Sequence, residues 1–200
     1  MFVIPAALSR SAPACARPRR GTGFTLLELM VVVALVAILA AIGYPGMSAL
    51  INGNRLGGSA NEMVATLQYA RMEAIRLNRT VTVCRSGDGI HCATGDIWST
   101  WIAVVDSDRD GAVDDVLRVG TVAAPVQLRG SSSIRDGRID FRSDGLARTI
   151  DSELLNASFA ACLPTSSPVD NVRRISIVSG SRISTHAESG GGRCDATANL

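Results

Sequence analysis

Gly23-Phe24-Thr25-Leu26-Leu27-Glu28-Leu29 opens an apolar run that reaches about Tyr44, and the reading of that stretch decides the fold. Arg17, Arg19 and Arg20 lie just upstream. Downstream, one acid, Glu28, sits among roughly 20 otherwise lipid-compatible residues, about the length of one membrane span. An ionised carboxylate in hydrocarbon is costly, so an acid at that place asks for a function. Two plainer readings exist. An ordinary secretory signal also has a basic start, an apolar core and a small-residue cleavage site, for which Ala37-Ile38-Leu39-Ala40-Ala41 could serve. A simple anchor helix is the other. Both leave Glu28 without a purpose.

Beyond this run, Leu56, Ala60, Met63, Leu67, Ala70, Ala74 and Leu77 recur at alternating spacings of four and three. That is a narrow apolar stripe of helical period. Asn61, Glu62, Gln68, Arg71, Glu73 and Arg76 fall mostly off it. The pattern predicts one helix from Phe24 to Leu77, roughly 80 Å long at 1.5 Å per residue. Its first half would stand in a bilayer and its second would lay the stripe on a sheet. Pro45, close to Gly43 and Gly46, is expected to kink or open this helix. The alternative is a true break at Asn52-Gly53-Asn54.

After Asn78 the texture changes. Thr80-Val81-Thr82-Val83, residues 101–105, 116–119, 139–141, 158–161 and 173–178 read as short strands. Ser86-Gly87-Asp88-Gly89, Asp110-Gly111, Asp144-Gly145 and Ser179-Gly180-Ser181 punctuate them as turns. Strands following a single helix argue α+β, with an antiparallel sheet or two small sheets packed on the helix. Phe, Tyr and Trp make up only 4% of residues, so the core must rest on aliphatic side chains. All twenty basic residues are arginine.

The Gly-Phe-Thr-Leu-Leu-Glu junction resembles the class III signal of type IV pilins and pseudopilins. The resemblance implies cleavage after Gly23 by a prepilin peptidase and methylation of the new amino terminus at Phe24. It further implies that Glu28 pairs with the terminal amine of a neighbouring subunit during assembly, which gives the buried acid its partner. Several later blocks resemble the GspH/FimT branch, that is, the H-type pseudopilins of type II secretion and the FimT/FimU minor pilins. They are the helix end Leu67–Asn78, the segment Val81–Gly89 with Cys92 and Trp98, Trp101–Asp106 with its Asp-x-Asp-x-Asp-Gly run, and Ile139-Asp140-Phe141 with Asp144-Gly145. Arg173-Arg174-Ile175-Ser176-Ile177 closes the series.

What this implies is an α+β, type IV pilin-like fold: a prepilin leader over 1–23, a transmembrane and assembly helix over 24–77, and a periplasmic β-rich domain over 78–200. The implied role is a non-enzymatic minor pilin or pseudopilin that helps initiate or cap a type IV pilus or type II secretion pseudopilus. Implied partners are other minor and major pilins or pseudopilins, the prepilin peptidase and the inner membrane. The chain would cross that membrane once, with its C-terminal domain in the periplasm.

Four of the arginines (Arg10, Arg17, Arg19 and Arg20) precede the cut and no acid does, leaving sixteen against eighteen acids, a mature charge of −2. Bulk charge therefore gives no reason to bind nucleic acid. Cys15 leaves with the leader. Cys84, Cys92, Cys162 and Cys194 remain, an even number in a domain directed out of the cytoplasm. Two disulfides are expected, of three possible connectivities, and Cys84–Cys92 with Cys162–Cys194 is favoured. The first closes a short loop and the second ties the last strand region to the carboxyl end.

Asp106, Asp108, Asp110, Gly111 and Asp114 match the beginning of a calcium loop, with oxygen ligands at alternate positions. The twelfth position is Leu117 instead of a bidentate glutamate, and the alternative is a solvated acidic turn. DNA binding is the second functional reading. FimT-type relatives resemble DNA-uptake receptors that carry Gly-Arg-x-Arg near the C-terminus, where this chain has Gly180-Ser181-Arg182-Ile183-Ser184. Arg173, Arg174 and Arg182 are the arginines expected to face phosphates. No catalytic residue is expected: neither His91 nor His186 has a recognisable nucleophile or orienting acid at a known spacing.

Overall fold

The computed structural model describes residues 23–105, 113–149, 151–195, 197 and 199, without the side chains of Tyr44 and Pro45. Its first element is helix α1 (Leu26–Leu77). Thr25 caps it: the Glu28 N–H donates to Thr25 Oγ1 at 3.1 Å and the Leu29 N–H to Thr25 O at 3.1 Å. Thr-x-x-Glu is the sequence of a capping box, and the acid in the first turn complements the positive end of the helix dipole. The far end closes as a Schellman motif. Asn78 takes the left-handed conformation (φ 52°), the Asn78 N–H reaches Ile75 O, and the Arg79 N–H reaches Ala74 O. The helix is continuous as expected, and the alternative of a true break at Asn52-Gly53-Asn54 does not occur. Helical structure continues through it, and Asn52 Nδ2 donates to Ser167 O at 2.9 Å.

Contacts divide the chain into two units, one ending at Ala41 and one running from Ile42 to the C-terminus. The first is helix from Leu26 onward, and every residue from Gly23 to Gly43 is exposed. By length and composition, α1 contains a stretch able to cross a membrane.

Among the described residues the second unit adds nine strands. They are β1 (Val81–Ser86), β2 (Thr100–Val105), β3 (Asp115–Thr121), β4 (Gln127–Gly130), β5 (Arg138–Phe141), β6 (Ala147–Arg148), β7 (Ala157–Cys162), β8 (Val172–Val178) and β9 (Arg182–Glu188). They form two antiparallel sheets, ordered β3-β2-β1-β5-β6 and β4-β7-β8-β9. One contiguous core joins helix and both sheets. Leu56, Ala60, Met63, Leu67, Ala70 and Ala74 enter it from α1. Val83, Ile139 and Phe141 enter from the first sheet, and Leu128, Phe159 and Ile175 from the second. The small residues in the helical stripe keep its backbone close to the sheets, while Met63 and Leu67 fill the space between.

Trp101 keys the helix to β2. Its indole N–H donates to Thr66 Oγ1 at 3.1 Å, and that hydroxyl donates onward to Glu62 O at 3.0 Å. All these groups are satisfied although Thr66 and Trp101 are fully buried, as a low-dielectric interior requires. The indole lies over Gly120, its register partner on β3, where a Cβ would fall 2.4 Å from the ring. Nearer the surface, Arg118 on β3 pairs with Glu62 at 2.9 Å and stands 5.8 Å from the Tyr69 ring centre.

Candidate functional site: the head of the helix and its exposed apolar surface

Glu28 is placed on the first turn of α1, on a segment whose side chains all face outward. Phe24, Leu26, Leu27, Leu29 and Met30 surround it in sequence, each exposed, Phe24 by 80%. A soluble monomer gains nothing from such a surface, and a continuous exposed apolar area of this kind marks a membrane or protein contact. The geometry therefore presents one carboxylate at the N-terminal end of an apolar rod, two turns or less from Phe24. The acid stands in the first turn, where the positive end of the helix dipole complements a negative side chain.

The other expected sites separate. Cys84 and Cys92 are joined by a disulfide with Cα atoms 5.5 Å apart, and Cys162 and Cys194 by another at 5.6 Å. The second holds the C-terminal segment over the outer face of β7 and β8, where Ala160, Cys162 and Val172 form a small cluster with Cys194. Of the calcium positions, Asp106, Asp108, Asp110 and Gly111 lie outside the described residues. Asp114 and its neighbour Asp115 line a cleft of about 580 Å³ that also holds Arg76 and Arg79. Two guanidinium groups beside those acids compete with any cation there. Among the described residues no group of three or more metal-ligating side chains converges.

The arginines of the DNA reading do not form one patch, which corrects that expectation. Arg173 and Arg174 are successive on β8 and so face opposite sides of the sheet. Arg174 is committed to Glu188 through two bonds of 2.9 and 2.6 Å, and Arg173 donates to Asp170 O and Val172 O. Arg182 sits opposite Val178, four residues along β8 from Arg174, about 13 Å at strand rise.

One constellation escaped the reading of the sequence. His91 does have an acid: its Nδ1 lies 2.7 Å from Asp88 Oδ2. Asp88 Oδ1 also accepts the Ile90 and His91 N–H groups. The bond to the His91 ring, then these backbone bonds, hold the Asp88 carboxyl well below the usual carboxylate range. The Ser86 hydroxyl lies on Asp88, not on the imidazole, so the order is wrong for an activated nucleophile. These bonds fold the loop closed by Cys84–Cys92. The signal available was Ser-Gly-Asp-Gly, an acid able to bond backbone two and three residues on.

A long helix with an exposed apolar head and a buried tail under two antiparallel sheets defines the class of prepilin-type subunits. The comparisons agree. A family described as type II transport protein GspH matches residues 59–181, and the prokaryotic N-terminal methylation motif matches residues 18–44. The chain belongs to the GspH family. Type II secretion system protein H of Xanthomonas campestris pv. campestris is 35% identical over 66 residues, which is 33% of this chain and 38% of that relative. The match thus spans well under half of the relative's length. The crystal structure of the type IV minor pilin FimU of Pseudomonas aeruginosa superposes with a TM-score of 0.51 at 24% identity, covering 66% of this chain and 89% of that one. It shows the same fold. The minor pseudopilin EpsH of Vibrio cholerae gives a TM-score of 0.47 at 14% identity, over 66% of this chain and 97% of that one.

Proposed function

We propose that this chain is a minor subunit of a type II secretion pseudopilus or a type IV pilus. The observation that carries this reading is the division of α1. Its head is uniformly exposed and apolar around one first-turn carboxylate, whereas the stripe from Leu56 to Ala74 is consumed by the core. Before assembly the head anchors the chain in the inner membrane, with the strand-bearing unit in the periplasm. The Gly23–Phe24 bond is cut by the prepilin peptidase, the Phe24 amine is methylated, and Glu28 accepts the charged amine of a neighbouring subunit. Sibling pilins or pseudopilins are then the partners, joined through the apolar heads.

Intact-mass and N-terminal analysis of the membrane-purified chain tests the processing step. The expected species begins at a methylated Phe24, and Gly23→Val leaves the leader attached. A wild-type chain that retains residues 1–23, or one cut after Ala41, would overturn the reading.

A further inference from the structure

A cleft of about 270 Å³ opens beside the end of β4, between the segment that leads into β2 and the turn that leads into β5. Its floor is buried and includes Trp98, Gly130 and Ile134, while its rim is exposed and polar. Much of that rim is already paired. Asp96 holds Arg129 at 3.0 Å, Arg135 holds Asp151 at 2.6 Å, and the Ser132 hydroxyl bonds Asn199. The Trp98 indole N–H and the Asp136 carboxylate have no hydrogen-bond or ion-pair partner among the described residues. Trp98 is fully buried, and a buried donor without an acceptor is costly. Phe159 meets its ring edge to face with centroids 4.9 Å apart and offers no oxygen. On the cleft side stands Gly130, where a Cβ would lie 3.0 Å from the indole nitrogen and 3.2 Å from Ile134 Cδ1. The backbone of Gly130 is not left-handed, so glycine serves there to leave space beside the N–H and not to make a turn.

We propose that this cleft binds a primary carboxamide, the side chain of an asparagine or glutamine carried by a partner chain. The buried floor group is a donor and needs an acceptor, whereas the exposed rim group is an acceptor and needs a donor. A carboxamide supplies both from its two ends: its carbonyl accepts from the Trp98 indole N–H, and its NH₂ donates to Asp136. A carboxylate would offer acceptors alone and bring a second negative charge to Asp136, and an ammonium group would offer donors alone and leave the indole unsatisfied. The entering side chain displaces solvent from a pocket whose floor is apolar apart from the groups it pairs. The site lies wholly in the strand-bearing unit, goes beyond the filament reading and does not rest on it.

The indole N–H signals of the full chain, labelled with nitrogen-15 at tryptophan and held in detergent micelles, test this site by NMR. The sequence has two tryptophans, so Trp98→Phe assigns the pair by loss of one signal. Trp101, bonded to Thr66, is the internal reference. Titration with N-acetyl-glutamine methylamide is expected to shift the Trp98 signal saturably while Trp101 stays in place, with half-saturation at about millimolar concentration for a ligand this small. N-acetyl-glutamate methylamide shares the backbone amides of that probe and should bind several-fold more weakly. Asp136→Ala, at an exposed position, should weaken the glutamine probe several-fold and bring the two probes level. Gly130→Ala puts a methyl group beside the indole nitrogen and should remove the response, an unmoved Trp101 signal showing that the fold survives. A Trp98 signal that ignores the glutamine probe, equal binding of both probes to the parent chain, or indifference to Asp136→Ala would each overturn the assignment.

Discussion

At the scale of single residues, Asp88 and Gly120 carry testable consequences. Asp88 is held ionised by the His91 ring and two backbone N–H groups, so its folded value lies below its unfolded one. Its contribution to the Cys84–Cys92 loop is therefore complete above the ordinary carboxylate value and is lost as pH falls through the lowered one. Side-chain carbon shifts followed by NMR should give a midpoint below that of an ordinary aspartate. His91→Ala should move it upward, and an unmoved midpoint would deny the imidazole its part. Gly120 is needed for a different reason: a methyl group there meets the Trp101 indole at 2.4 Å. Gly120→Ala should destabilise the fold by about 1–3 kcal/mol, the usual range for overpacking. Gly58→Ala makes the matched comparison, since its added Cβ meets nothing within 4 Å and a helical position favours alanine. Thermal unfolding should separate the two variants in opposite directions.

Among the elements, α1 does the most and was the most legible. Its stripe from Leu56 to Ala74 could be read because burial in a helix imposes a period, and the same six residues are at most 1% exposed in the structure. Leu67→Ala should accordingly cost about 2–5 kcal/mol in denaturant unfolding of the detergent-solubilised chain. Gln68→Ala, on the exposed side, should fall within about 0.5 kcal/mol of the parent. The β-branched strands β1, β2 and β8 were also legible. β4 and β6 were not, because four and two residues are too few to show alternation. β9 escaped for another reason: Arg182, Ser184, His186 and Glu188 alternate along it and only Ile183 packs against the core, so its apolar signal is weak. At the helix head, the sequence pointed to Glu28 through the anomaly of an acid in an apolar run. The Asp88–His91 pair was signalled only by the Ser-Gly-Asp-Gly turn, while the Trp101–Thr66 bond depends on how distant elements meet, which no local pattern encodes.

For the whole molecule, one division of labour follows from the same helix. From Leu56 onward it is spent on the core of the strand-bearing unit, with two disulfides fixing its loop and its C-terminal segment. Its head buries nothing within the described structure and offers an apolar surface with one negative charge. Core packing and the exposed apolar head thus occupy different stretches of one element, and under the proposed function a change at Glu28 should spare folding while removing assembly. The most direct measurement is a deletion strain scored in the same cultures for surface filaments and for secreted enzyme activity, then complemented with wild type or with Glu28→Gln. Deletion should abolish one of the two activities, wild type should restore it, and Glu28→Gln should accumulate as processed protein yet restore less than about a tenth, as expected when an ion pair in an apolar setting loses one partner. Unchanged filaments and secretion in the deletion strain, or full restoration by Glu28→Gln, would contradict the assignment.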